Sequence, residues 1–312
     1  MTRQAIELSI VIPAYNEVES LPGLYAALTE SLLAYADRYE LIFVDDGSSD
    51  GSFERLRAIW NEDKRVRVVR LRRNYGKSAA LAAGFREARG GIVVTLDADL
   101  QDDPKEIPRF LQRIADGYDL VSGWKTPRND PWSRRALSGL FNRVTSLLTG
   151  VKLHDFNCGF KGYRRAVIDE IKVHGELHRF IPVLASWKGF RIGEIQVAHH
   201  PRRYGRSKYG AERIPRGFFD LLTVLMLTRY TTRPLHLFGL LGLLVGVAGF
   251  GIIAYLSVGW LFGKWIGARP LFILGTLMVI AGLQLVSFGL LAEMIVYGSN
   301  RDGDPPIETV LR

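Results

Sequence analysis

The chain has 312 residues, 47% hydrophobic and 23% charged, enough apolar material for one large core or two ordinary ones, which excludes a disordered or low-complexity scaffold. Its 41 Lys and Arg against 32 Asp and Glu leave a net charge of +9, so anionic partners are expected: nucleic acid, a lipid surface or phosphorylated substrates. A single cysteine, Cys158, excludes an intramolecular disulfide and a cysteine-based zinc cluster.

From the N-terminus, apolar runs of strand length alternate with helical stretches. Strands are predicted over 8–12, 41–44, 66–71 and 92–96, and helices over 21–35, 53–59, 78–88 and 106–115. The first run meets Pro13 and carries no cleavage-site pattern, so it reads as a strand and not as a leader. This alternation predicts an α/β domain over residues 1–210, its mostly parallel sheet covered by helices on both faces. In such sheets ligands bind beyond the carboxyl ends of the strands. Those ends are polar here: Pro13-Ala14-Tyr15-Asn16-Glu17 after the first strand, Asp45-Asp46-Gly47-Ser48-Ser49-Asp50-Gly51 after the second, and Asp97-Ala98-Asp99-Leu100-Gln101-Asp102-Asp103 after the fourth. Three acidic or hydrogen-bonding clusters are thus expected on one sheet edge.

Further along, Arg213, Arg216 and Asp220 mix with Ile214, Phe218, Phe219, Leu221, Leu222, Leu225 and Met226. Residues 211–230 are therefore expected to form an amphipathic interfacial helix with its basic residues on anionic headgroups; an ordinary helix packed on the domain is the alternative. No Asp, Glu, Lys or Arg occurs between Arg233 and Lys264, a gap of 30 residues, or between Arg269 and Glu293, a gap of 23. Spanning a hydrocarbon layer takes about 20 apolar helical residues, so two transmembrane helices are predicted within 231–300, over about 235–262 and 270–296. Glu293, late in the second, needs headgroup depth or a partner. Arg202, Arg203, Arg206, Lys208, Arg213, Arg216, Arg229 and Arg233 precede the first span, against only Lys264 and Arg269 in the turn between the two. This bias predicts a multi-pass protein of the cell membrane with its large N-terminal domain and its tail, 301–312, in the cytoplasm.

Two nucleotide motifs are excluded. The first strand turn lacks the glycines of a dinucleotide fingerprint, and Gly76-Lys77-Ser78 imitates a phosphate loop whose earlier glycine would fall at Leu71. The six histidines never form the helical pair of a zinc hydrolase. In the acidic segment, a turn after Asp97 would let Asp99 and the carbonyl of Gln101 face one point, and such hard oxygen donors suit Mg²⁺ or Mn²⁺ shared with a substrate diphosphate. A cap for a helix starting near Pro104 is the bland role for the same carboxylates, as turn formation is for Asp45 and Asp46.

The segments Pro-Ala-Tyr-Asn-Glu, Val-Asp-Asp-Gly-Ser-Ser-Asp-Gly, Asp-Ala-Asp-Leu-Gln and Arg202-Arg203-Tyr204-Gly205-Arg206-Ser207-Lys208, in this order, resemble the family-two glycosyltransferases of the dolichyl-phosphate mannose synthase type, including bacterial polyprenyl-phosphate hexosyltransferases. The resemblance covers roughly residues 6–210, and the two C-terminal spans match the membrane-anchored bacterial members. It implies a GT-A (Rossmann-like) fold and inverting transfer of one hexose from a UDP- or GDP-linked donor to an undecaprenyl or dolichyl phosphate. Carried over by position, Pro13, Tyr15, Glu17, Val44 and Asp46 would hold the nucleoside. Asp97, Ala98, Asp99 and Gln101 would handle metal and diphosphate, with Asp99 and Gln101 as metal ligands and Mg²⁺ or Mn²⁺ as cofactor. Arg134 and Ser138 resemble the contacts to the lipid phosphate, and Arg202 and Lys208 match a basic loop that closes over the phosphates. Arg179 would replace a phosphate-binding Lys, and Lys125 stands where many members carry Arg.

The implied partners are a nucleotide-sugar donor, a polyprenyl-phosphate acceptor and membrane lipids, with a homo-oligomer left open and nucleic acid not expected. Two other readings share parts of this pattern. A processive polysaccharide synthase would need a Gln-x-x-Arg-Trp motif, and no Arg-Trp pair occurs. A membrane-tethered nucleotide-binding protein without turnover is the second.

Overall fold

The structure is a computed structural model that describes residues 6–35, 38–126, 132–171, 177–201, 220–226, 228, 234–263, 265 and 270–299, apart from the side chains of 132–137 and 296–299. The chain divides into two compact units, Met1–Val224 and Leu225–Arg312.

The first unit is built on a seven-stranded sheet. Its strands are β1 (Leu8–Ala14), β2 (Tyr39–Asp45), β3 (Val66–Arg70), β4 (Ile92–Thr95), β5 (Leu120–Lys125), β6 (Lys161–Arg164) and β7 (Ile192–Val197), in the spatial order β3-β2-β1-β4-β6-β5-β7. β6 runs antiparallel to both its neighbours, and every other pairing is parallel. β1, β2, β4 and β5 therefore point the same way and end at one edge.

Strands covered on both faces need apolar side chains in both directions, and β1 and β2 have them. Leu8, Ile10 and Ile12 of β1 meet α1 (Leu21–Ser31), α2 (Ser52–Glu62) and α4 (Ile107–Ala115) through Leu24, Leu28, Leu56 and Phe110. Val11 of β1, with Ile42 and Val44 of β2, faces α3 (Lys77–Glu87), α6 (Arg165–Glu170) and α7 (Ile181–Trp187). α5 (Trp132–Thr149) follows β5. The helix predicted over 21–35 stops at Ser31, and Leu33–Tyr35 forms a separate 3-10 turn. Thr29 and Ser31 turn their hydroxyls back onto the carbonyls of Tyr25 and Ala27, a bonding pattern that weakens continued helix.

The second unit holds α8 (Pro234–Leu261) and α9 (Pro270–Ser299), the two predicted apolar helices, both long and apolar enough to cross a membrane. Their 28 and 30 residues reach about 40 Å, more than a hydrocarbon layer of about 30 Å. They pack through glycines. A Cβ on Gly242 would stand 2.6 Å from the Gly282 carbonyl oxygen, and one on Gly249 2.7 Å from that of Gly275. Such backbone contact replaces the hydrophobic drive that lipid cannot supply.

Glu293, which the sequence leaves without a partner, has one: its Oε2 accepts the Leu235 backbone N–H at 3.1 Å. That amide is in the first turn of α8, where no intrahelical acceptor exists. Glu293→Ala is expected to weaken the helix pair by about 1 kcal/mol, and Glu293→Gln by less, because the amide oxygen keeps the bond. Unfolding midpoints in mixed detergent check this.

Candidate active site

The first two strand ends are laced into one wall. Asn16 takes φ +53°, turning the chain after β1 so that its N–H donates to Ser48 Oγ at 2.9 Å and its Oδ1 accepts the Ser49 N–H at 2.9 Å. Glu17 N–H donates to Ser52 Oγ at 2.9 Å, and Val18 N–H to Asp50 Oδ2 at 3.1 Å. The Ser and Asp residues of this loop are thus its fasteners.

The nucleoside set divides. Pro13, Tyr15 and Glu17 are half-buried along this wall, Glu17 accepting the Ser20 hydroxyl at 3.1 Å. Val44 is wholly buried against α3, so only its backbone is left to meet a ligand. Asp46 turns its two oxygens onto the backbone N–H groups of Tyr75 and Gly76, at 2.8 and 2.9 Å, and so fixes the segment leading into α3. Burial pushes its carboxyl above the ordinary value. Asp45 accepts the Ser48 N–H at 3.1 Å and pairs with Arg70 at 3.4 Å.

After β4 the chain makes the turn that the Asp-x-Asp pattern needs. Leu100 has φ +59°, a conformation that costs an L-residue roughly 1–2 kcal/mol and is retained at functional turns. Asp99 Oδ1 accepts the Gln101 N–H at 3.2 Å. The Gln101 carbonyl accepts the His200 N–H at 2.9 Å, which ties this turn to the segment after β7. The helix cap considered for the acidic run exists, but Asp103 supplies it: its Oδ1 accepts the Lys105 N–H at 3.0 Å. Asp97 and Asp99 are therefore not required as caps.

Two lysines meet this turn. The Lys77 ammonium, from the first turn of α3, is hydrogen-bonded to Asp97 Oδ1. Lys125, at the end of β5, pairs at 3.2 Å with Asp102, whose other oxygen accepts the Asp97 N–H at 3.4 Å. Burial opposes the charge on Asp97, yet the Lys77 and Lys125 ammoniums hold its carboxyl well below the usual range. Burial opposes the charge on Lys125 most strongly, but Asp102, followed by Cys158, Asp97 and Asp99, together outweigh it, so Lys125 stays protonated. Lys125, which stands where many members carry Arg, is thus paired with Asp102.

The floor beneath Asp97 is the segment 155–161. Thr95 Oγ1 donates to the Gly159 carbonyl at 2.8 Å, and the buried Lys161 ammonium donates to the carbonyls of Phe156 and Cys158. A Cβ at 159 would lie 2.7 Å from each Asp97 oxygen and from Lys77 Nζ, so any larger residue there must push this ion pair aside. Gly159→Ala is expected to displace the carboxylate and lower transferase turnover about 10–100-fold with little change in melting temperature. Steady-state kinetics beside a thermal melt check it.

Arg179 is in the 3-10 turn Leu177–Phe180, next to His178, whose backbone N–H and Nδ1 both bond Ser78 Oγ. Burial, then Lys77, press the His178 imidazole well below its ordinary value, so it is neutral. Ala98 is buried at the centre of the acidic turn. Arg134 and Ser138 are one turn apart on α5, and the side chain of Arg134 lies outside the described residues. Leu140, Val144, Leu147 and Leu148 form an exposed apolar stripe on that helix. Arg202 and Lys208 lie outside the described residues, as do most of 211–230 and all of 301–312. Lys77, Asp102, Gly159, Lys161 and His178 have no assigned role in the sequence; Asp102 stands there only as part of the acidic cluster and Lys77 only in a segment that imitates a phosphate loop.

Among the described residues, no group of three or more His, Cys, Asp or Glu is placed to hold a metal. The turn instead carries hard oxygen donors in one short run, the Asp97 and Asp99 carboxylates and the Gln101 carbonyl, whose second lone pair is left by the His200 N–H. An ammonium already docks on Asp97, so the turn attracts a cation. This donor set fits an ion such as Mg²⁺ or Mn²⁺ that completes its octahedron with diphosphate and water.

Three comparisons bear on this arrangement. The chain is 40% identical over 309 residues to dodecaprenyl-phosphate galacturonate synthase of Rhizobium johnstonii, covering 97% of this chain and 91% of that one. It is 42% identical over 292 residues to the undecaprenyl-phosphate 4-deoxy-4-formamido-L-arabinose transferase of Proteus mirabilis, covering 93% and 88%. Glucosyl-3-phosphoglycerate synthase from Mycobacterium tuberculosis, crystallised with Mn²⁺, UDP and glucosyl-3-phosphoglycerate, shares the fold at a TM-score of 0.55 and 19% identity, covering 71% of this chain and 79% of that one. The Glycosyl transferase family 2 pattern matches residues 9–172, from β1 through the acidic turn to α6. With that match and two relatives above 30% identity over most of both chains, the chain belongs to glycosyl transferase family 2.

Proposed function

We propose that the protein transfers one sugar, with inversion at the anomeric carbon, from a nucleoside diphosphate to a polyprenyl phosphate at the cytoplasmic face of the cell membrane. The observation that carries this reading is the Asp97–Gln101 turn at the carboxyl ends of the strands, with ionised Asp97 held by a cation. The relatives' names, which specify polyprenyl phosphates, support the acceptor class. The organisation that goes with it is a catalytic domain over 1–210, an interfacial helix over 211–230, two spans within 231–300 and a cytoplasmic tail.

Asp99 and the Gln101 carbonyl would hold Mg²⁺ or Mn²⁺, and the ion, when bound, neutralises charge building on the departing diphosphate. Asp97 and Ala98 form the adjoining wall against the diphosphate, while Pro13, Tyr15, Glu17, the Val44 backbone and the Asp46 loop enclose the nucleoside. An acceptor phosphate is already an anionic nucleophile at neutral pH, so the site needs cations more than it needs a strong base. Arg134 and Ser138 would orient that phosphate, with Arg179, Arg202 and Lys208 screening the repulsion between two anionic substrates. The exposed Leu140, Val144, Leu147 and Leu148 stripe suits a helix lying against lipid, where a prenyl acceptor is found.

The test offers purified full-length protein labelled UDP- and GDP-sugars with undecaprenyl or dolichyl phosphate and Mg²⁺ or Mn²⁺. Label is then followed into the organic phase. Transfer from at least one donor, lost with EDTA, is expected. Failure of every pair by folded protein overturns the reading.

A further inference from the structure

We propose that Lys77 is a resident counter-ion that makes cation binding at the Asp97 turn conditional on a diphosphate, exchanging Asp97 for a phosphate oxygen when ion and diphosphate arrive together. This rests on the reading of the site as one for a divalent cation and a nucleoside diphosphate.

The Lys77 ammonium sits on Asp97 Oδ1, on the same turn as the Asp99 carboxylate and Gln101 carbonyl that would seat the ion. Its side chain is only 20% exposed, so water screens it weakly. A divalent ion entering alone therefore meets a like charge at close range, and moving Lys77 aside strands that charge in a partly buried pocket. A diphosphate removes both penalties by offering the ammonium a new anionic partner.

Three fastenings define what can move. Tyr75 and Gly76 give their N–H groups to Asp46, and Ser78 is bonded to His178, so the start of α3 is held on either side of Lys77. Below the ion pair, the missing side chain of Gly159 lets backbone come close enough that even a Cβ would touch Asp97 and Lys77 together. The helix and the floor stay put, and the exchange falls to the four-carbon lysine stem, swinging away from Gly159. Because Asp46 holds residues 75 and 76 while Asp97 holds residue 77, the nucleoside wall and the cation turn are joined through consecutive residues. The segment dismissed as a phosphate loop thus gains a part in diphosphate binding without that loop's glycine pattern.

The test is equilibrium dialysis of the full-length protein in lipid nanodiscs against Mn²⁺, with and without inorganic pyrophosphate, at matched free Mn²⁺. Wild-type protein is expected to bind Mn²⁺ about tenfold more tightly with pyrophosphate, within the range that coupled sites span. Lys77→Met should bind Mn²⁺ alone about tenfold more tightly than wild type and lose most of that coupling, while Lys77→Arg keeps it. Lys77→Gln carries the same comparison if the Met variant does not fold. Unchanged Mn²⁺ affinity and coupling in the neutral variants overturns the proposal, as does wild-type protein that binds Mn²⁺ equally with and without pyrophosphate. Sugar transfer by the wild type alongside either result leaves the proposed function standing; absence of both Mn²⁺ binding and transfer removes both.

Discussion

Asp99→Ala should reduce sugar transfer by about 10³-fold or more while leaving the fold intact. The chain turns at Leu100 so that Asp99 lies against the Gln101 N–H, and the acidic run gives its helix cap to Asp103 instead. Removing the Asp99 carboxylate therefore takes away the proposed cation ligand without taking away a cap. Asp99→Asn is expected to recover little, because a neutral amide keeps the shape but loses the charge that draws a hard ion. The checks are initial rates across a Mn²⁺ series, beside a thermal melt that should stay within a few degrees of wild type. A tethered nucleotide-binding protein without turnover would show no activity to lose, so the same measurement separates that reading from an enzyme.

The sequence told most where the signal is local. β1, β2 and β4 and their helices follow from apolar runs of the right length, and the charge-free gaps predict α8 and α9 within a few residues. β6 was not legible: it is four residues, Lys-Gly-Tyr-Arg, with a buried lysine where an apolar side chain is the usual occupant. Only the register across β4 and β5, which sets Lys161 opposite both Thr95 and Ser122, makes that segment a strand. The candidate site shows the same division. Asp97, Asp99 and Gln101 stand in one short run and could be picked out. Lys77, Gly159 and His178 come from α3, the segment before β6 and a 3-10 turn, and only the fold brings them to Asp97. Asp102 lay within the run that was read, but nothing local distinguishes a buried ion-pair partner from a helix-capping Asp103.

Asp102→Ala carries the largest expected loss of stability. Asp102 is fully buried and pairs with Lys125, whose side chain is 16% exposed, so truncation leaves an ammonium in a poorly solvated site with Asp97 and Asp99 as its remaining anionic neighbours among the described residues. Stranding one partner of a buried pair costs about 3–5 kcal/mol, a large part of a total near 5–15 kcal/mol. For a unit of this size that corresponds to a melting temperature lower by about 10 °C. Asp102→Asn should cost less, since its amide oxygen can still accept the Asp97 N–H. Replacing both partners, Asp102→Leu with Lys125→Met, should recover much of the stability but not the activity, because no charge then holds Asp97 and the turn from that side. The pH dependence supplies an independent readout. In the wild type, Asp102 with Cys158, Asp97 and Asp99 overcomes burial and raises the Lys125 value above its unfolded one, so this contribution is complete below about pH 10.4 and fades only as pH rises through the higher folded value. Without Asp102 the largest charge opposing burial is gone, so the folded value drops from its wild-type position. The variant's deficit is then largest where Lys125 is protonated in both proteins, and it should shrink as pH rises above the variant's lower folded value. Melts at several pH values should therefore show the gap between Asp102→Ala and wild type narrowing on the alkaline side; a constant gap would mean that the loss comes from the Asp97 N–H bond and not from a stranded charge.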